Sequence, residues 1–304
     1  MSDKLSIYNT GIEAMNALAP YYQEEAVGKI GEAEARESWF ALLNAAAVDP
    51  TPLTAARFTA VSPYTSPARI NGALGSALEN GFLTGSEESG FLLTDKGHAV
   101  LAAFFDTAQA LIAGAPVLAD AEMANLAAYL HRLVAATKDL PDPADKPNLQ
   151  NSLWTDPGPD APATVLVDQY ITDLRQFRDD AHITAWQKLG VDGRSWETLT
   201  FLWNDDAHTA AELQEKLEGR RFTESDYGAS LAALVEKGWA TQAGDEWQIT
   251  EAGRTVRQEG EEETDRIYFA GWNTLDETEL NDLDDLLQRL LDQLKEAAPA
   301  AETV

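Results

Sequence analysis

The sequence predicts a mainly α-helical protein with small β-hairpins, built from one unit used twice. Three observations carry that prediction. Apolar residues recur at helical spacing through most of the chain, two short aromatic runs flank acidic turns, and matched residues stand 157 positions apart.

The matching comes first because it fixes the units. Ser38-Trp39 answers Ser195-Trp196, and LGSALENGF from Leu74 answers LAALVEKGW from Leu231. FLLTDKGHAV from Phe91 answers WQITEAGRTV from Trp247, one residue out of step, so the offset there is 156. Leu118, Glu122, Leu126, Leu130 and Leu133 then answer Leu275, Glu279, Leu283, Leu287 and Leu290 at 157 again. Two unrelated helical domains of similar composition would not hold an offset within one residue of 157 from Ser38 to Leu133.

Each unit opens on a long helix carrying aromatic and other apolar residues at helical spacing, Tyr8, Met15 and Tyr22 in the first, Tyr170, Leu174, Phe177 and Ile183 in the second. A helix through Trp39, Leu42 and Leu43, or Trp196, Leu199 and Leu202, follows, and then a short one over 53–61 or 210–217. The next helix has clear start signals. Thr65 or Ser66 can cap it and Pro67 suits its first position; in the second unit Thr223 and Asp226 form a capping box with Asp in the reciprocal place. Gly81 and Gly238 end these helices. Phe82-Leu83-Thr84 and Phe91-Leu92-Leu93 then flank an acidic turn, as Trp239-Ala240-Thr241 and Trp247-Gln248-Ile249 do, which reads as a hairpin in each unit. Helix, turn, helix, hairpin and long helices is the winged-helix order. The domains are read as 1–139, a proline-rich linker over 140–163 and 164–304. Six of the thirteen prolines fall in that linker, which is expected to be semi-extended with Trp154 docked on a domain surface. The tail 296–304 is expected to be disordered.

The pattern L-x-x-L-x-x-x-G-W/F, hairpin, L/I-T-x-x-G-x-x-V and long helix resembles MarR-like winged-helix regulators. The first unit is also similar to the winged-helix dimerisation domain of O-methyltransferases. The run EETDRI at 262–267, Gly271-Trp272 and the leucine-rich last helix are similar to those of bacterial MarR-like proteins with tandem repeats. The resemblance implies two tandem winged-helix units with long flanking helices, related as a pseudo-twofold. It further implies transcription regulation and a pseudo-dimer within one chain, so that the protein could work as a monomer.

Charge bears on the nucleic-acid question. The chain holds 51 acids against 22 Lys and Arg, a net −29. Such a surface repels nucleic acid and anionic lipid, but screening beyond about 8 Å leaves the decision to the local patch. The first candidate recognition helix has Arg69 as its cation. The second places Glu224 and Asp226 in its first turn, after Arg220 and Arg221. Both wing tips are acidic, at Glu87-Glu88 and Asp245-Glu246. A carboxylate 4 Å from a phosphate costs roughly 1 kcal/mol even in bulk water. Arg69, Arg220 and Arg221 are the candidate DNA contacts, or else keep the surface soluble; duplex DNA binding is expected to be weak.

Catalytic chemistry has no motif here. Cysteine is absent, the four histidines fall singly, and neither H-E-x-x-H, Gly-x-Ser-x-Gly nor a P-loop occurs. Asp179-Asp180-x-His182 and the run EGEEETD at 259–265 read as solvated helix faces rather than metal sites. The reading therefore assigns no catalytic residue, no metal and no cofactor. The first twenty residues lack a basic segment followed by an apolar one, and 107–119 is too short to span a bilayer, so a soluble cytoplasmic protein without a membrane is expected. A small apolar or aromatic ligand is the remaining partner. MarR-like proteins take aromatic or phenolic ligands between terminal helices and winged core, which makes Tyr22, Trp39, Phe40, Trp186, Trp196 and Trp203 the candidate ligand-binding residues. Alternatively Trp39 and Trp196 fill equivalent cores. Two function classes stand: a ligand-responsive regulator with weakened DNA binding, or a small-molecule-binding or protein-interaction module with no DNA role.

Overall fold

Caps and chain breaks in the sequence set the helix boundaries. In the computed structural model, which describes residues 3–30 and 33–297, Asp3 caps α1 (Lys4–Leu18) by accepting from the Leu5 N–H. The single leading helix expected through Tyr22 is broken. Pro20 lacks the N–H that an α-helix would use there, and the chain tightens into a 3-10 turn (Ala19–Tyr21) before α2 (Gln23–Lys29). Then come α3 (Ala33–Ala46), α4 (Ala55–Val61), α5 (Pro67–Glu79), β1 (Leu83–Ser86), β2 (Gly90–Leu93), α6 (Asp95–Ala113) and α7 (Asp120–Asp139). A short helix, α8 (Pro147–Leu153), leads to α9 (Ala163–Gln187), α10 (Gly193–Trp203), α11 (Ala210–Lys216), α12 (Glu224–Glu236), β3 (Ala240–Ala243), β4 (Glu246–Ile249), α13 (Glu251–Tyr268) and α14 (Glu277–Ala297). The protein is thus mainly helical with two small antiparallel hairpins, each half in winged helix-turn-helix order. Of the tail expected to fray, 296–297 complete α14, and 298–304 lie outside the described residues.

Local chemistry repeats between the halves. α5 and α12 are 13 residues each, their first residues 157 apart. Ser66 caps α5 by accepting from the Arg69 N–H, while Thr65 turns its hydroxyl to Ser62; Thr223 and Asp226 form the reciprocal box on α12. Gly81 and Gly238 take φ of +69° and +74°, the left-handed helix ending that glycine adopts without a Cβ clash. The T-x-x-G signature also has a physical cause. Thr94 and Thr250 cap α6 and α13 by accepting from Gly97 and Gly253. A Cβ on either glycine would fall 2.4 Å from the Phe82 carbonyl oxygen or 2.1 Å from that of Trp239, so only glycine lets the helix start against the strand. The hairpins pair Leu83 with Leu93 and Ala240 with Ile249.

Three apolar cores result. The central one joins α1, α7, α9, α13 and α14 through residues such as Ile7, Leu133, Phe177, Tyr268 and Leu287. α14 contributes Leu283, Leu286, Leu287, Leu290, Leu291 and Leu294, a stripe at helical spacing. The winged cores lie around Leu42, Phe58 and Leu74 in the first half and Trp196, Leu199 and Tyr227 in the second. The acidic run of α13, expected on a solvated face, instead fastens that helix to its neighbours. Arg178 of α9 sits 2.7 Å from Asp265 and 3.7 Å from Glu261, with the rings of Tyr8 and Tyr268 beside its guanidinium. Buried Arg257 pairs with Glu261 between Trp196 and Trp203. Hydrogen bonds from Arg266 and Lys188 hold the Glu263 carboxyl at about 2.

The proline-rich connection is packed, because α9 carries carboxylates that need partners. Asp180 accepts from the Asn148 and Leu149 N–H groups, each at 2.9 Å, and from the Asn148 amide at 3.0 Å, capping α8 from outside. Asp173 accepts from the Ser152 hydroxyl at the other end of α8 and from Gln169. Arg57 of α4 donates to the Pro147 carbonyl and to Asn151, both at 3.0 Å, tying the first half to α8. The Trp154 ring meets Phe105 edge-on at 5.6 Å. Burial pushes Asp168, Asp173 and Asp180 each up to about 6, and the Asp168 Oδ1 has no partner among the described residues.

Asp168→Asn tests that burial. With its pKa raised in the folded state, Asp168 keeps a proton that the unfolded chain loses between about pH 4 and 6, so wild-type stability falls as pH rises through that window. Removing the charge is expected to stabilise the protein by about 1–3 kcal/mol at pH 7.5 and to change nothing at pH 4. Denaturant melts at the two pH values decide it; an equal gain at both contradicts the assignment. A second pair reads packing. A Cβ at Gly260 would lie 2.6 Å from the Trp196 ring, whereas one at Gly75 meets open space. Gly260→Ala is expected to cost roughly 1–3 kcal/mol and Gly75→Ala to add about 0.5–1 kcal/mol, read by the same melts.

Candidate functional site

Two helix-turn-helix motifs are available, α4–α5 and α11–α12. Their surroundings differ. The turn between α4 and α5 is covered by the second half: Ser62, Thr65 and Ser66 are buried, and the Ser66 N–H donates to the Arg220 carbonyl at 3.0 Å. The Trp186 indole N–H donates to the Tyr64 hydroxyl at 2.7 Å. Gly193 lies so close to Pro63 that a Cβ would fall 2.4 Å from its carbonyl oxygen. The start of α12 is open, with Thr223, Glu224 and Ser225 exposed.

The three candidate DNA contacts are placed around this junction. Arg69 projects from the first turn of α5, exposed and without an ion pair among the described residues. Arg220 lies over the Tyr64 ring and donates from Nε and Nη2 to Glu197 at 3.1 and 2.8 Å. Arg221, in the left-handed region at φ +56°, reaches Glu37 at 3.2 Å across Gly72 of α5. Two of the three are therefore engaged within the chain. Spacing adds a constraint. Thr223, the N-cap of α12, follows Arg220 by three residues, which span at most ~11 Å. Adding the hydrogen bond to Ser66 leaves the two helix starts within roughly 16 Å, about half the ~34 Å between successive major grooves on one face of a duplex. Both helices cannot enter successive grooves in this arrangement. The wing-tip acids Glu87, Glu88, Asp245 and Glu246 are exposed, and hydrogen bonds from Thr223 hold Asp226 below the usual carboxylate range.

Tyr22, Trp39 and Phe40 come together on a cleft between the leading helices and the first winged core. It has two chambers. One of about 560 Å³ is walled by Met15, Tyr22, Val27 and Ile30; the other, of about 360 Å³, by Phe40, Leu43, Phe105 and Asn151. Trp39, Phe104, Thr172 and Arg175 border both and form a waist, with the Trp39 and Phe104 ring centres 4.6 Å apart. Asp168, Thr172 and Arg175 share one face of α9 by their spacing. The Tyr22 hydroxyl is pushed up to about 12, first by burial and then by Asp168.

Trp186, Trp196 and Trp203 border neither chamber. Trp186 and Trp196 are buried in the second winged core, and Trp203 lies half-buried under Arg257. The difference traces to one position. Counted from the caps Thr94 and Thr250, Phe104 and Gly260 occupy the same place on α6 and α13. Phe104 holds Trp39 away from its helix, whereas bare Gly260 lets Trp196 close on the backbone. Trp196 donates at 3.1 Å to His182 Nε2, which puts the histidine proton on Nδ1, facing Thr264. Burial and the cations Arg257 and Arg178 hold His182 below its ordinary value, opposed by Glu261, so it is neutral. Asp180 and His182 thus have separate structural roles, and no group of three or more His, Asp or Glu among the described residues could hold a metal ion. Phe104, Phe105, Thr172 and Arg175 are the cleft residues that sequence reasoning missed; the i, i+4, i+7 spacing of 168, 172 and 175 was the available signal.

Among the described residues, no helix is long and apolar enough to cross a membrane. Comparison with curated proteins and with solved structures found no match. The profile of a helix-turn-helix family matches residues 93–301, from the last residue of β2 to beyond α14, and so covers more than half of the chain. That span contains α11, its turn, α12 and the β3–β4 hairpin, the second motif entire; the chain belongs to the helix-turn-helix family.

Proposed function

We propose that this is a cytoplasmic, regulator-like helix-turn-helix protein of MarR-like type that responds to a small apolar or aromatic ligand and contacts duplex DNA weakly. The observation that carries the reading is the cleft itself. Tyr22, Trp39 and Phe40 line an apolar, partly open space where the leading helices meet a winged core, the kind of concave site that takes a small organic ligand. Support for two fused copies of one unit, and hence a pseudo-dimer within one chain, is the offset of matched caps, glycines and hairpins, 157 positions up to the first strand of each hairpin and 156 from the second strand to the start of the next helix. Family membership argues for duplex DNA as a partner. The internal pairing of Arg220 and Arg221 argues for low affinity. It is also what favours the second reading, a ligand-binding module with no DNA role.

Anisotropy of a labelled random 30-base-pair duplex, titrated across salt, separates these readings. With Arg69, Arg220 and Arg221 as the cations, the slope of log K against log salt is expected to be no steeper than about −3. Glu197→Gln and Glu37→Gln, which release arginines, are expected to tighten binding a few-fold. A slope near −6 at micromolar affinity contradicts weak contact, and no binding at 20 mM salt selects the second reading. For the ligand, a panel of aromatic compounds is expected to raise the melting temperature of wild type and to lose that effect in Trp39→Leu. A flat response across the panel sinks the cleft.

A further inference from the structure

The two helix-turn-helix motifs meet at their turns, and the contact covers one more than the other. Ser62 and Ser66 of the first motif are buried under the second half, whereas Gly219 and Thr223, 157 positions on, are exposed. Further along α5 the Arg221 guanidinium crosses Gly72 to reach Glu37 of α3. A Cβ at Gly72 would lie 3.6 Å from Arg221 Nη1 and 3.8 Å from Glu37 Oε1, so an ion pair straps the middle of α5. Ala229, the counterpart of Gly72 on α12, is exposed, as are Glu224 and Ser225 before it and Ala232 after it. A major groove about 12 Å wide admits one α-helix. The next groove on the same face lies about 34 Å away, about twice the span between the two helix starts. A duplex therefore meets one motif at a time, and the strap and the buried turn leave α12 as the one it can meet.

Resting on the duplex reading above, we propose that this chain engages DNA through α12 and the β3–β4 wing alone, at a single half-site, and that the first motif serves as the platform that holds the second. The residues matching the helix-turn-helix family contain that second motif entire. In this mode α5 contributes Arg69 to a flanking phosphate and nothing to the groove, and the β1–β2 wing stays off the duplex.

Charge added at each wing tip of the full chain tests this, read by anisotropy of a labelled random duplex from 20 mM salt upwards. One variant carries Asp245→Lys and Glu246→Lys, the other Glu87→Lys and Glu88→Lys. All four residues are exposed, and the two variants change the net charge equally, so the long-range field shifts alike in both. The second-wing variant is expected to bind about tenfold tighter than the first-wing variant, with a slope of log K against log salt steeper by about one to two. A carboxylate added to the second-wing variant then separates the helices. Ala232→Asp is expected to reverse the gain, while Gly75→Asp, its counterpart on α5 with nothing within 4 Å of a Cβ, leaves affinity within about twofold. Equal gains at the two wings, or reversal by Gly75→Asp, overturn the single-motif mode and leave duplex contact standing. No binding by wild type or by either wing variant at 20 mM salt removes duplex contact and the mode together.

Discussion

The structure turns on one constraint: α9 is a buried helix that carries ionisable groups on several faces. Left without partners in an apolar surrounding, a carboxylate costs several kcal/mol, so the rest of the chain is arranged to supply them. Asp180 and Asp173 draw residues 147–153 into a helix whose backbone and side-chain donors they accept. Arg178 does the same for α13, turning its acids inward. These attachments place the first winged half over α9 and leave the cleft between them. Asp168 is the member of the set whose Oδ1 has no such partner, and it sits one turn from the cleft wall.

The same scaffold gives a cleft in one half and a closed core in the other, and the reason is local. A tryptophan on α3 in the first half and on α10 in the second faces the helix that follows the hairpin. Against Phe104 it stands off, bordering open space; against Gly260 it lies on the backbone, its indole satisfied by His182 and its face covered by Arg257. The break at Pro20 adds to the asymmetry, since it bends α2 away from α1 and opens the larger chamber where α9 runs on as one rod.

What was legible in the sequence follows from range. Caps, helix-ending glycines and hairpins depend on neighbours within a few positions, and Ser66, Thr223, Gly81 and Gly238 do in the structure what their local pattern predicts. The helix α8 and the inward-turned acids of α13 depend on partners tens of residues away, which composition cannot name. A proline-rich stretch and an acidic run read as connector and solvated face for that reason. Tyr22, Trp39 and Phe40, expected together from the resemblance, do border one cleft, because it forms at their own helices. Trp186 lies away from it, bonded to Tyr64, 122 positions off in the other half.

The same long-range pairing bears on how a helix-turn-helix protein so acidic can treat DNA. A phosphate that recruits Arg220 must displace Glu197, whose carboxyl is already half-desolvated beside Tyr64, and leave that carboxylate without its cation. Arg221 would likewise have to leave Glu37. Each phosphate contact is then an exchange of one ion pair for another rather than a new one, and the net gain shrinks towards the difference between two similar interactions. On the reading proposed above, weak duplex contact would follow from the junction between the halves. It would persist if the outer surface were made less acidic, because the competing carboxylates, Glu197 within the second half and Glu37 across the halves, lie at that junction.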